Sequence, residues 1–328
     1  MATAEALTAP PGAGPGPSGR RGATESAATW PLSDRIGLVL CWAAGIALMA
    51  VCAAILIFLL VKGLHYLTPN LLLSHPNGDV DQSKSGGILD PLEGTLLLTG
   101  IGIAIAAPLG IVAAIWLTEY GRPFGLARLV ESGIEVVAGT PSIVIALFGY
   151  SLFSRHPFGG LSFTAQGGAI FGRSFLAAGL VMSLLALPLV FSSTREALQS
   201  IPGHVREASY ALGKTKWATI RRVLVPSCRP AMATGTALGI GRMIGDTAII
   251  VILLGATLRT EPQSSTPVLG LLRGTGSTLT SFTYFNSPVG EGNAYTKAYA
   301  AAFVLLILVL VINLGVEWLG RRTVEWVR

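Results

Sequence analysis

Charge is scarce in this sequence. Asp, Glu, Lys and Arg make up 12% of its 328 residues, about half the share usual in a soluble globular domain. Together with a mean hydropathy of +0.63, this excludes an ordinary water-soluble fold. Cysteine is nearly absent: Cys41, Cys52 and Cys228 lie in or beside apolar segments, with neither metal-ligand spacing nor an obvious disulfide pair. The four histidines (His65, His75, His156, His204) are scattered. No His/Cys/acid cluster indicates a metal centre, and no Ser/His/Asp set indicates hydrolysis, so a membrane enzyme is disfavoured. A Gly-x-x-x-x-Gly-Lys-Ser/Thr phosphate loop is missing, so the chain is not itself a P-loop ATPase. No cofactor bound by this chain is expected.

What the sequence does have is length of apolar run. Six stretches, at about 36–61, 93–118, 132–153, 174–193, 227–256 and 298–319, each suffice to cross a hydrocarbon core of roughly 30 Å as a helix. They are far longer than barrel strands and lack strict alternation, so an all-α, polytopic membrane protein is expected. Residues 1–34, rich in Ala, Pro and Gly, cannot bury a core and read as a disordered tail. The first run is too long for a signal-peptide core and reads as a retained anchor. With the N-terminus inside, Lys and Arg are more than twice as dense in inside segments 1–35, 119–130, 194–226 and 320–328 as in the opposite loops. Both termini are therefore expected in the cytoplasm. The net charge of +6 belongs to those loops rather than to a nucleic-acid surface. The outside loops 63–92 and 257–297 are rich in Gly, Ser, Thr and Asn, and suit either solvated connectors or a docking surface. Segment 161–172 reads as re-entrant or as packed loop.

The largest inside loop, about 200–226, has punctuation of its own. Pro202 suits a first helical turn and Gly213 the position past a helix end. Thr215 suits the cap of a second helix, which Pro226 is expected to stop or kink. These signals predict a helix–turn–helix excursion between two spans. An amphipathic helix lying on the membrane needs neither the Gly turn nor the terminal Pro.

Here the chain resembles the cytoplasmic signature of ABC importer permeases, E-A-A, three residues, G, nine residues, I-x-L-P. It has Glu207-Ala208-Ser209, then Gly213, then Val223-Leu224-Val225-Pro226, with the spacing kept. Gly86-Gly87-Ile88-Leu89-Asp90-Pro91 with Gly94-Thr95-Leu96, and Ala114-Ile115-Trp116-Leu117-Thr118-Glu119-Tyr120, resemble the second helix of PstA-type phosphate permeases. Ala138-Gly139-Thr140-Pro141-Ser142 resembles the third helix of that family, and Gly241-Arg242-Met243-Ile244-Gly245-Asp246-Thr247-Ala248 its fifth. PstC-type permeases share parts of the pattern. The resemblance implies a type I ABC importer permease fold with six transmembrane helices over residues 35–328. It implies import of inorganic phosphate, with a homologous PstC-type permease, two PstB-type ATPase subunits that use ATP and Mg, and an external PstS-type phosphate-binding protein. It also implies that Glu207, Ala208, Ser209 and Gly213 couple the chain to the ATPase.

Arg242 and Asp246 stand four apart inside the fifth apolar run and so are expected on one helix face. Charge within a membrane is costly and needs a partner or water. One reading is a self-neutralising pair that fixes helix packing. In the other, Arg242 lines an anion path, Asp246 restrains it, and Thr247 adjoins it; an Arg fork matches an oxyanion well. The resembled family usually has Glu where Asp246 stands. Arg195, displaced from the family's usual position, reads as an interface anchor. Gly235, Gly239, Gly241 and Gly245 form small-residue seams, and Pro108, Pro141 and Pro188 are expected to kink three spans. The remaining alternatives are a sulfate or molybdate permease and an ion-driven secondary transporter; the latter leaves the 200–226 excursion without a purpose.

Overall fold

The computed structural model describes residues 31–76, 86–155, 157–162, 165–166, 169–170, 172–255, 267–290 and 292–322. The expected tail therefore lies almost wholly outside the described residues. The chain divides into two units, residues 1–57 and 58–328. The first contributes most of helix α1 (Leu32–Tyr66), a 35-residue apolar rod.

After it come α2 (Pro69–Leu73), α3 (Leu89–Ile115) with a π-helical extension at Trp116–Tyr120, α4 (Phe124–Gly139) and α5 (Ser142–Phe153). A 3₁₀ turn (Phe158–Leu161) and a two-residue-per-strand antiparallel hairpin, β1 (Ala165–Gln166) and β2 (Ala169–Ile170), lead into α6 (Phe175–Ser200). The chain continues through α7 (Gly203–Ala211), α8 (Lys216–Thr219), a second π segment (Ile220–Leu224), α9 (Val225–Ile244) and α10 (Ala248–Leu253). It ends with α11 (Pro267–Arg273), α12 (Leu279–Asn286) and α13 (Tyr295–Arg322). Among the described residues the architecture is all-α apart from that hairpin, which occupies the segment read as re-entrant or packed loop, and one isolated bridge between Pro76 and Gly86.

All six predicted spans are helical, but not all are single rods. Among the described residues, four helical stretches are long and apolar enough to cross alone: Leu32–Tyr66, Leu89–Tyr120, Phe175–Ser200 and Tyr295–Gly320. The third predicted span is α4 and α5, bent by 109° around Thr140-Pro141, so Pro141 breaks the helix where a kink was expected. Pro108 and Pro188 remain inside continuous helices.

The core forms where small residues let α3, α6 and α9 approach. Gly102 of α3 lies against Met243 and the Gly179 carbonyl, and Gly179 of α6 against Ile101. Gly235 and Gly239 of α9 abut Ser193 and Ala186 of α6. Those two glycines therefore form the expected seam, whereas Gly241 faces Asn313 of α13. Phe175, Met182, Met243, Ile249 and Leu253 are fully enclosed. A second cluster joins Leu71 and Ile88 to Leu279, Phe282, Ala300 and Ala301.

That second cluster corrects, for residues 279–286, the reading of 257–297 as a solvated connector or docking loop; 257–266 and 291 lie outside the described residues. Helix α12 buries Leu279, Thr280, Ser281, Phe282 and Asn286 and is held by a capping box between Thr278 and Ser281. Thr95 Oγ1 accepts from Leu279 N at 2.9 Å and donates to the Pro91 carbonyl at 2.7 Å. Gly94 leaves room for the Ser277 carbonyl. The Gly94-Thr95 motif is thus a seat for α12. Nearby, buried Asp90 pairs with His75 Nδ1 at 2.6 Å, which ties α2 to the start of α3.

Candidate functional site

Two places bring the singled-out residues together. The first is a break in the fifth span. Helix α9 ends at Ile244, the chain turns through Gly245-Asp246-Thr247, and α10 restarts at Ala248. Asp246 is buried, 8% exposed, and its Oδ1 accepts from Ile249 N at 2.9 Å, capping α10. The carbonyl of Ile244, freed by the break, accepts from Thr280 Oγ1 at 2.7 Å. Such a break is tolerated inside a membrane only when its backbone groups are satisfied within the protein.

The break separates two residues that the spacing had paired. Because α9 stops before Asp246, that residue and Arg242 do not share a helix face, and no ion pair joins them among the described residues. Asp246 turns inward to its cap, while Arg242 is exposed on α9 and Thr247 is half-buried. The self-neutralising pair is therefore not formed among the described residues. Thr95, Leu98, Thr99, Met243, Ile244, Ile250, Thr278 and Thr280 line a cavity beside the break of about 10 Å³. That is room for one water and no more.

Residues missed from the sequence also gather here. Thr280 and Thr278 come from the loop read as solvent-facing. Asn313, a lone amide in the last apolar run, faces Gly241 with its buried Oδ1 unpartnered among the described residues. Its one sequence signal was polarity between Ile312 and Leu314.

The second place is the hairpin of α7 and α8. Helix α7 ends in a Schellman turn: Gly213 N donates to the Tyr210 carbonyl at 2.9 Å and Lys214 N to the Ser209 carbonyl at 3.3 Å. Gly213 has φ +73°, the left-handed conformation that glycine adopts without strain. Thr215 caps α8 as expected, accepting from Ala218 N at 3.3 Å. Pro226 does not stop the second helix. Helix α8 passes through the π segment into α9, with Val225 N reaching the Ile220 carbonyl. The wide turn absorbs the proline's missing donor.

The hairpin's own contacts sort its residues into two sets. Ser209 is buried and bonds Thr219 Oγ1 at 2.8 Å. Since Thr219 donates to the Thr215 carbonyl at 3.1 Å, Ser209 is the donor in that pair. The Ser-for-Ala departure from the E-A-A pattern is therefore a tie between the two limbs. Glu207, Ala208 and Gly213 face outward, beside Leu212 (77% exposed) and Trp217 (62% exposed). Arg206 and Glu119 pair behind them at 3.0 Å. Arg195, read as an interface anchor, meets Glu131 of α4 at 2.5 Å and so pins α4 to α6.

Residues 106–325 match the family described as binding-protein-dependent transport system inner membrane component. The chain belongs to that family. It is a permease subunit of an ABC importer, a multi-pass membrane protein, and its fold is the expected type I importer permease fold. It is 34% identical over 238 residues to "Phosphate transport system permease protein PstA 1" of Mycobacterium tuberculosis (strain CDC 1551 / Oshkosh), covering 73% of this chain and 72% of that one. It is 32% identical to "Probable ABC transporter permease protein YqgH" of Bacillus subtilis (strain 168), covering 89% and 92%. The "Phosphate transport system permease protein PstC" of Xylella fastidiosa (strain 9a5c) is 31% identical, over 69% of each chain. Among solved structures, a chain of a bacterial alginate ABC transporter in complex with its alginate-bound periplasmic protein superposes with TM-score 0.62. That match has 17% identity and covers 89% of this chain and 96% of the other, a likeness of fold.

Proposed function

We propose that this permease imports inorganic phosphate, forming half of a translocation path with a homologous permease and drawing its power from separate ATPase subunits. Support for the substrate comes from its relatives, of which both PstA- and PstC-named proteins are phosphate permeases at 31–34% identity. An external phosphate-binding protein delivers the anion. Both termini lie in the cytoplasm, as the basic loops argue.

The single observation that carries the chemistry is Arg242: a guanidinium inside the fifth apolar run, exposed on the isolated chain one turn before the break. A membrane-embedded Arg must face protein or water. Facing a partner permease, it offers a planar donor fork to one oxyanion. Asp246 and Thr247 stand at the break that ends its helix, and Asp246 caps the helix that restarts. At the other end, Glu207, Ala208 and Gly213 form the face that seats in the ATPase, with buried Ser209 tying the two limbs behind it and Leu212 and Trp217 supplying apolar contact area.

The test is radiolabelled uptake by the assembled transporter in vesicles. Uptake of phosphate that is ATP-dependent and displaced by arsenate supports the reading. Displacement by sulfate or molybdate in preference to arsenate assigns another oxyanion. Transport by this polypeptide alone, driven by an ion gradient, overturns the ATP-coupled scheme.

A further inference from the structure

The two limbs of the α7–α8 hairpin close on one residue of another helix. From α7, Arg206 donates through Nε and Nη2 to Glu119 Oε1, at 3.1 Å and 3.0 Å. From α8, Lys216 Nζ donates to the Glu119 carbonyl and lies over the Tyr120 ring, 4.7 Å from its centroid. The Arg206 fork has further work. Its Nη1 donates to the Ile201 carbonyl and its Nη2 to the Leu198 carbonyl, both at 2.8 Å, closing the end of α6. Glu119 is 6% exposed and Arg206 21%, so the pair is shielded from solvent and holds its geometry better than a surface ion pair.

Covalent connection links the hairpin only to α6 and α9. Helix α3 has no such link, yet Glu119 is its end. Further along α3, Gly102 lies against Met243 of α9, and Leu98 and Thr99 face the cavity beside the break. A side-chain grip at Glu119 thus joins the hairpin directly to a second helix, besides α9, that reaches the broken span.

We infer that Arg206 and Glu119 form a transmission clamp, positioning residues that oblige α3 to follow the hairpin when the ATPase displaces it. The inference rests on the ATP-coupled reading above. Without the clamp, the end of α3 loses its direct tie to α7 of the hairpin and is driven chiefly through its packing on α6 and α9. The fork is the specific requirement: a lysine at position 206 keeps the charge but, as a point ammonium, does not reproduce the planar spread of donors that reaches Glu119 and two carbonyls.

The experiment uses the transporter purified with its ATPase and reconstituted, comparing Glu119→Gln, Arg206→Gln and Arg206→Lys. Expected is assembly and ATP hydrolysis within about twofold of wild type, with phosphate accumulated per ATP falling about tenfold or more in the Gln variants. Arg206→Lys restores part of that ratio. An unchanged ratio overturns the clamp, as does a parallel fall of assembly, hydrolysis and uptake, which marks a mere structural staple. A second measurement is independent of substrate. Spin labels at His204→Cys and Arg122→Cys, in a background without the native cysteines, report the distance from hairpin to the end of α3. It stays constant between nucleotide-free and ATP-bound wild type and varies in Glu119→Gln. A wild-type change approaching one helical turn, about 5 Å, refutes the clamp. Failure of wild type to accumulate phosphate refutes the substrate reading and leaves the distance test decisive.

Discussion

Arg242 and Asp246 were natural partners by spacing, and the fold gives them separate tasks. Asp246 commits Oδ1 to the Ile249 amide, a cap that an Asn side chain reproduces and an Ala cannot. Asp246→Asn is therefore expected to melt with the wild type, and Asp246→Ala to lose about 1 kcal/mol, read by thermal denaturation of the solubilised protein. Arg242 has no such structural employment among the described residues. Arg242→Gln is expected to leave assembly intact and to cut phosphate uptake at least about a hundredfold, the loss of two charge-assisted hydrogen bonds. Undiminished uptake by assembled complexes removes Arg242 from the path. Thr280→Val strands the Ile244 carbonyl, and a destabilisation of about 1–3 kcal/mol is expected in the same melts.

At the scale of elements, the hairpin combines a rigid frame with an exposed apolar face. Gly213→Ala forces a side chain into the left-handed region at a cost of about 1–2 kcal/mol, visible as lowered thermal stability. Leu212→Ala with Trp217→Ala leaves the frame intact, because both side chains point outward. ATPase association is expected to weaken about thirtyfold or more, in keeping with loss of buried anchor residues; co-purification yield is the measure. The hairpin was legible from sequence because Pro202, Gly213 and Thr215 each act over three or four residues. The broken span was not: hydropathy adds Ala248–Leu253 to the run before it and hides the gap. Helix α12 was hidden for the opposite reason. Thr278, Thr280, Ser281 and Asn286 read as water-facing until the carbonyls and amides that bind them are known. No local signal announces that Arg206 meets Glu119 across 87 residues.

For the whole molecule, the charge distribution makes the arrangement checkable without activity. His204, exposed on the hairpin, replaced by cysteine in a background lacking Cys41, Cys52 and Cys228, is expected to react with a membrane-impermeant maleimide in inside-out vesicles only. Labelling from the outer face reverses the topology and with it the side on which an ATPase docks. The family and the fold were legible at this scale, because motif order survives changes of packing that alter individual contacts.

The wide turns at Trp116–Tyr120 and Ile220–Leu224 each hold an extra peptide unit compared with an ordinary α-turn, which is slack wound into the rod. A rod with slack changes its rotation by handing that unit to a neighbouring turn, while every amide keeps an acceptor. Excising one residue from either turn would tighten it into a regular coil and rotate the rest of the rod by about 100°. Glu119 sits on the first coil and Lys216 just ahead of the second, so the two windings fix how the gripping residues are aimed at each other.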